Sequence, residues 1–181
     1  MYKNILLSSS VLSLIGLALF SFSAKAMNVD DIKVNVPYKL ENKWHRDQGK
    51  PSSLDADSDH RGGRIYRSNS HNDNTFWYLT PQSNGSFKLE NKWHRDQGKP
   101  SSLDADSDHR DGRIYRSNSH NDNTFWYLTP QSNGSFKLEN KWHRDQGKPS
   151  SLDADSDHRD GRIYRSNFTN DNTFWYLTPQ K

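Results

Sequence analysis

The chain reads as an all-β protein built on a pseudo-threefold axis. Three observations predict this. The segment from Tyr38 to Ser86 returns almost letter for letter from Phe87 and again from Phe136, a period of 49 residues. Within each copy, apolar and polar residues alternate over short runs, the pattern of half-buried strands. Gly, Pro, Asn and Ser separate those runs, and no stretch sustains a helical period. Three copies of four short strands suggest twelve strands closed around a threefold axis, and closure removes exposed strand edges. A β-propeller needs at least about four blades. An open solenoid needs atypical capping repeats, whereas the outer copies here match the middle one.

The first 26 residues are expected to lie outside the fold. Lys3 gives a positive start, Ile5 to Phe22 is an apolar run broken by serines and one glycine, and Ala24-Lys25-Ala26 is a small-x-small cleavage site. This is the pattern of a secretory signal peptide cleaved after Ala26. It implies a secreted or periplasmic mature chain without stable membrane insertion. Residues 27–37 form a short lead-in, extended around Val34 and Val36, with no evident chemistry.

The repeats cover 38–86, 87–135 and 136–181 of a domain spanning 38–181. In copy one, YKLENKW places Tyr38, Leu40 and Trp44 on one face of the first strand. A polar loop with Gly49 and Pro51 follows. In SLDA, Leu54 and Ala56 share a face and Asp55 points away. The loop DSDHRGG leads to RIYRS, where Ile65 and Tyr66 face opposite ways. Asparagines from Asn69 to Asn74 precede TFWYLT, with Trp77 and Leu79 on one face and Phe76 and Tyr78 on the other. Trp77 is therefore assigned to the core, while Trp44 fits either the core or a pocket rim. Copies one and two differ only at Tyr38/Phe87 and Gly62/Asp111. Copy three replaces Ser119-His120 with Phe168-Thr169.

Composition excludes several classes. Without Lys3 and Lys25 the chain carries 23 basic and 22 acidic residues, spread evenly, which argues against a nucleic-acid groove. Arg61, Arg64 and Arg67 lie among aromatics, but Asp55, Asp57 and Asp59 beside them would repel phosphate. There are no cysteines, so stability must come from packing. Aliphatic residues are scarce, yet the aromatic content of 12% and small net charge favour a folded domain.

The order and threefold recurrence of YKLENKW or FKLENKW, LDAD, GxIY and NDNTFWYL resemble the β-trefoil of the ricin B-chain type of lectin. The resemblance implies a shallow sugar pocket in each lobe. Its parts are an aspartate after the second strand's leucine, an aromatic on the third strand and an asparagine before the final tryptophan. The matching residues are Asp55, Tyr66 and Asn74, then Asp104, Tyr115 and Asn123, and then Asp153, Tyr164 and Asn172. The chemistry suits the role. A carboxylate accepts charge-assisted bonds from hydroxyls, an aromatic ring covers the C–H face of a sugar, and an amide both donates and accepts. Two departures stand out: Thr75 replaces the glutamine usual before the final motif, and tyrosine replaces a frequent tryptophan. The galactose preference common in the family is therefore not carried over. The bland alternatives are turn formation for Asp55, a surface aromatic for Tyr66 and a loop position for Asn74.

Rival chemistries fit less well. Asp55, Asp57 and Asp59 begin like a calcium loop, but His60 stands where glycine is required and Tyr66 where glutamate is. No two histidines lie at zinc-ligand spacing, and His45 and its repeats are expected at the surface. No serine occupies a nucleophile elbow. The sequence thus predicts a non-enzymatic carbohydrate-binding protein without cofactor, its partners glycans, with up to three pockets acting together. The competing class is a protein-interaction or inhibitor module of the same fold. Near-identical lobes also permit exchange between chains and a homo-oligomer.

Overall fold

The computed structural model describes residues 27–56, 63–105, 112–154 and 161–181. The predicted signal peptide, and Asp57, Asp59, His60 and Arg61, lie outside the described residues.

Each repeat contributes four strands. In copy one these are β1 (Pro37–Asn42), β2 (Ser53–Asp55), β3 (Tyr66–Ser68) and β4 (Phe76–Pro81). Copy two supplies β5 (Phe87–Asn91), β6 (Ser102–Asp104), β7 (Tyr115–Ser117) and β8 (Phe125–Pro130). Copy three supplies β9 (Phe136–Asn140), β10 (Ser151–Asp153), β11 (Tyr164–Ser166) and β12 (Phe174–Pro179). β1 pairs with β4, β4 with β5, β5 with β8, β8 with β9, β9 with β12, and β12 with β1. The ring is closed, and every pairing is antiparallel. The three remaining hairpins, β2–β3, β6–β7 and β10–β11, branch from β1, β5 and β9. A six-stranded barrel with three attached hairpins in threefold array is a β-trefoil.

The hairpins meet at the axis. Ile65 N–H donates to the Ile114 carbonyl, Ile114 to Ile163, and Ile163 back to Ile65, each at 3.2 Å. All three isoleucines are buried. Around this triangle, Arg116 N–H donates to the Gly63 carbonyl at 2.7 Å, Arg165 to Gly112 at 2.8 Å and Arg67 to Gly161 at 2.7 Å. Gly63 holds φ +65°, and a Cβ there would lie 3.4 Å from the Arg116 carbonyl oxygen. The position thus requires both a left-handed backbone and close approach, and glycine meets both.

The core repeats by lobe. Leu40, Leu54, Ile65, Trp77 and Leu79 are buried together with their equivalents. Trp77 is fully buried and its indole N–H donates to the Leu54 carbonyl at 2.9 Å. Trp126 and Trp175 repeat the bond to Leu103 and Leu152. The core assignment of Trp77 and the alternation over β4 hold, with Phe76 and Tyr78 half-buried.

Three expectations change. The first strand ends at Asn42, and a short helix follows: α1 (Lys43–Asp47), with α2 (Lys92–Asp96) and α3 (Lys141–Asp145) in the other copies. Asn42 caps α1 by accepting from His45 N–H, as asparagine at an N-cap does. Trp44 therefore lies on a helix, half-buried, with Lys50 Nζ 4.3 Å over its ring. Next, His45 is buried, not superficial, because the helix turns it inward, where its Nδ1 lies 2.8 Å from Asn42 Oδ1. Finally, the lead-in is not extended around Val34. It holds a 3₁₀ turn at Val29–Asp31 and packs Met27, Val29, Ile32 and Val36 on the core. Lys33 N–H donates to the Tyr38 hydroxyl at 2.8 Å, which gives a physical role to tyrosine where copies two and three carry phenylalanine.

Candidate functional site

The three residue types picked out in each repeat come together. Asp55 and Tyr66 are directly opposed across β2–β3, as are Asp104 and Tyr115, and Asp153 and Tyr164. Opposed residues of an antiparallel pair project to the same face of the sheet. Asn74 lies in the 3₁₀ turn η2 (Asp73–Thr75), with η3 (Asp122–Thr124) and η4 (Asp171–Thr173) in the other lobes. Its carbonyl accepts from Ala56 N–H, next to Asp55, at 3.0 Å.

Alternation alone misjudged depth. Asp55 was expected to face away from the core, but it is 5% exposed, Asp104 6% and Asp153 3%. β2 is three residues long and lies between β1 and β3, with the η2 turn bonded beside it, so all three of its residues are buried. A ligand can meet this carboxylate only at the floor of a site. Tyr66, Tyr115 and Tyr164 are half-buried and supply more accessible surface.

Asn74 carries the least expected feature. Its backbone is fully engaged: the N–H donates to Asn72 Oδ1 at 3.1 Å, and the carbonyl accepts from Ala56 and from Asn91 Nδ2. Its side-chain Oδ1 is buried and has no hydrogen-bond partner among the described residues, and the same holds for Asn123 and Asn172. Buried acceptors in folded proteins are nearly always paired, by protein groups or by water, so this oxygen is open in each lobe to an O–H or N–H donor such as water or a ligand hydroxyl.

Sequence reasoning missed the residues that hold this turn. Asn91 Nδ2, from the following repeat, reaches the carbonyls of Asn74 at 2.7 Å and Phe76 at 3.2 Å. Asn140 does the same for Asn123 and Phe125, and Asn42 for Asn172 and Phe174. Beside it, Lys92 Nζ bonds Asp73 and Asp96, both at 2.8 Å. Lys141 bonds Asp122 and Asp145, each at 2.8 Å, and Lys43 bonds Asp47 at 2.6 Å and Asp171 at 2.9 Å. These paired carboxylates hold each ammonium well above the usual lysine range. The one available signal was an asparagine at the end of an alternating run, followed by lysine.

The lobes are not identical. His71 packs edge-on against Phe76 at 5.1 Å, and His120 against Phe125 at 5.0 Å. In copy three, Thr169 instead accepts from Lys137 Nζ at 3.0 Å, and Phe168 is 61% exposed. A separate groove of about 500 Å³ lies where the first and last strands meet, lined in part by Lys39, Glu41, His71, Phe76 and Gln180. It contains none of the nine predicted residues. No cluster of three or more metal-ligating side chains occurs among the described residues, and no helix among them is long and apolar enough to cross a membrane.

No protein-family profile matches the chain, and no curated protein matches it by sequence. Solved structures do. The chain is similar to the designed threefold-symmetric protein ThreeFoil, with a TM-score of 0.61 and 23% identity, covering 78% of this chain and 97% of that one. It is also similar to the BEL β-trefoil, with a TM-score of 0.60 and 10% identity over 82% and 95% of the two chains. A third match is an exo-β-1,3-galactanase from Clostridium thermocellum, with a TM-score of 0.63 and 19% identity. It covers 82% of this chain but 31% of the enzyme. At these identities the likeness establishes the fold, β-trefoil, and nothing finer.

Proposed function

We propose that this chain is an exported, non-enzymatic carbohydrate-binding protein. Each lobe offers one shallow site built from an aspartate floor, a tyrosine wall and an asparagine acceptor: Asp55, Tyr66 and Asn74, and their equivalents. The observation that carries the reading is the buried Oδ1 of Asn74, Asn123 and Asn172, unpaired in all three lobes beside the opposed Asp–Tyr pair. A sugar hydroxyl supplies the missing donor while its partner hydroxyl bonds the carboxylate, and the half-buried tyrosine ring covers the C–H face. The occurrence of this fold alongside a galactanase is consistent with glycan partners. Three weak sites on one rigid body gain about 10²–10⁴ in apparent affinity when a branched glycan spans them.

A glycan array with residues 27–181 tests the proposal beside the variant Tyr66→Ala, Tyr115→Ala, Tyr164→Ala, checked for folding by its melting curve. Binding by the parent chain that is lost in the variant is expected. Binding retained in the variant removes these pockets, and an array blank for the parent chain removes the lectin reading.

A further inference from the structure

Each candidate pocket lies at a repeat boundary. The asparagine acceptor belongs to one lobe, and the groups that hold its turn belong to the next. The relation runs around the ring. Copy two's Asn91 and Lys92 hold η2, copy three's Asn140 and Lys141 hold η3, and copy one's Asn42 and Lys43 hold η4. The last case joins residues about 130 positions apart, across the seam where β12 pairs with β1.

We propose that Lys43, Lys92 and Lys141 are positioning residues for the pocket of the preceding lobe, so that copy three's pocket is complete only when the first repeat closes the ring. The inference rests on the carbohydrate-binding reading for its consequence, but not for its geometry. η4 is three residues long and carries Asn172 between Asp171 and Thr173. Its internal anchor is Asn170, which accepts from Asn172 N–H at 3.1 Å. That contact sets the local turn. Within the lobe, Ala154 N–H, next to Asp153, ties the Asn172 carbonyl to β10 at 3.0 Å; from the first repeat come Asn42 Nδ2 on the same carbonyl at 2.7 Å and Lys43 Nζ on the Asp171 carboxylate at 2.9 Å. Asp47, on the same helix as Lys43, holds the ammonium from its other side at 2.6 Å. The ammonium is thereby held from two sides, with the side chain 16% exposed. Releasing it loosens the Asp171 end of the turn, which then pivots on the Ala154 bond, and the Asn172 side-chain acceptor shifts relative to Asp153 and Tyr164.

The test uses the whole mature chain carrying Lys43→Met, with Lys43→Arg as the conservative rescue and Asp171→Asn as the same cut from the opposite side. Amide hydrogen exchange followed by mass spectrometry reads the turn directly. The η4 segment is distinguishable by Phe168-Thr169, whereas the identical η2 and η3 segments report together as an internal control. Faster exchange in η4 alone is expected for Lys43→Met and Asp171→Asn, and parent-like exchange for Lys43→Arg. Binding is read in single-pocket chains by titrating lactose, N-acetylgalactosamine and N-acetylglucosamine. Tyr66→Ala with Tyr115→Ala leaves pocket three, and Tyr115→Ala with Tyr164→Ala leaves pocket one. Lys43→Met should weaken pocket three about tenfold, the effect of losing one charge-assisted contact, and leave pocket one unchanged. Unchanged exchange in η4, or equal weakening of both pockets, overturns the proposal. If no probe binds either single-pocket chain, the carbohydrate reading falls for those sugars and the exchange result decides the positioning role by itself.

Discussion

At the scale of single residues, two asparagines that meet across a repeat boundary behave as opposites. Asn91 is fully buried with its side chain saturated: Nδ2 bonds neighbouring carbonyls, and Oδ1 caps α2 and meets His94. Asn74 is half-buried, and its Oδ1 has no partner among the described residues. Replacing Asn91 with alanine leaves several polar groups unsatisfied and should cost about 2–4 kcal/mol. Replacing Asn74 with alanine removes an acceptor that already lacks a partner. Its stability change should stay within about 0.5 kcal/mol, while glycan binding at that lobe is lost. Urea unfolding of the two variants, beside binding in a single-pocket chain, checks both statements. Tyr38→Phe tests the seam. Losing the Lys33 bond should cost about 1 kcal/mol and speed amide exchange in residues 27–36. Asn74 was legible in the sequence as a candidate because it precedes the final tryptophan motif. The role of Asn91 was not, since an asparagine at a strand end has no pattern that names its distant acceptor.

At the scale of elements, alternation succeeded where strands are long and failed where they are short. β4 spans six residues and shows the expected faces. β2 spans three, and neighbours on both sides bury its outward residue as well. The five-residue α1 is too short to leave a helical period, so the first strand's pattern ran on through Trp44. Only its N-cap asparagine marked the boundary. The glycine at the axis makes an element-level prediction. Gly63→Ala forces a side chain into a left-handed backbone against Arg116 and should destabilise by about 1–2 kcal/mol. Gly112→Ala and Gly161→Ala, at equivalent positions, should cost similar amounts. Thermal melts of the three variants would check this, and a cost confined to one of them would contradict a symmetric axis.

At the scale of the molecule, the repeats are joined by lysines that bridge lobes. Each ammonium is held above the ordinary lysine value of 10.5 by its two carboxylate partners. A group whose folded-state pKa is raised stabilises fully below its unfolded pKa and loses that contribution as pH rises toward the folded value. A triple variant Lys43→Met, Lys92→Met, Lys141→Met should therefore be less stable than the parent by a constant margin from neutral pH to about 10.5. Above that pH the margin should shrink. At such partly exposed sites each lysine, with its two partners together, contributes about 0.5–1 kcal/mol, so the neutral margin should be about 1.5–3 kcal/mol if the three sites add. Denaturant unfolding across pH 7–11 gives the curve. A margin that grows above pH 10.5 would rule out this account.

The sequence by itself determined the threefold plan, the placement of Trp77 and Leu79 in the core, and which residue types the three lobes share. Those features follow from a literal repeat and from alternation over five or six residues, both of them local. The tertiary structure alone decided the depth of Asp55, the inward turn of His45, and the pairing of the chain's ends through β1 and β12. It also decided the dependence of each asparagine turn on the next repeat. The turn of His45 belongs to a helix too short to leave a period, and the others are contacts between separate segments of the chain. Their geometry is set when the barrel closes and hydrogen-bonding groups must find partners there, and no short-range pattern records it.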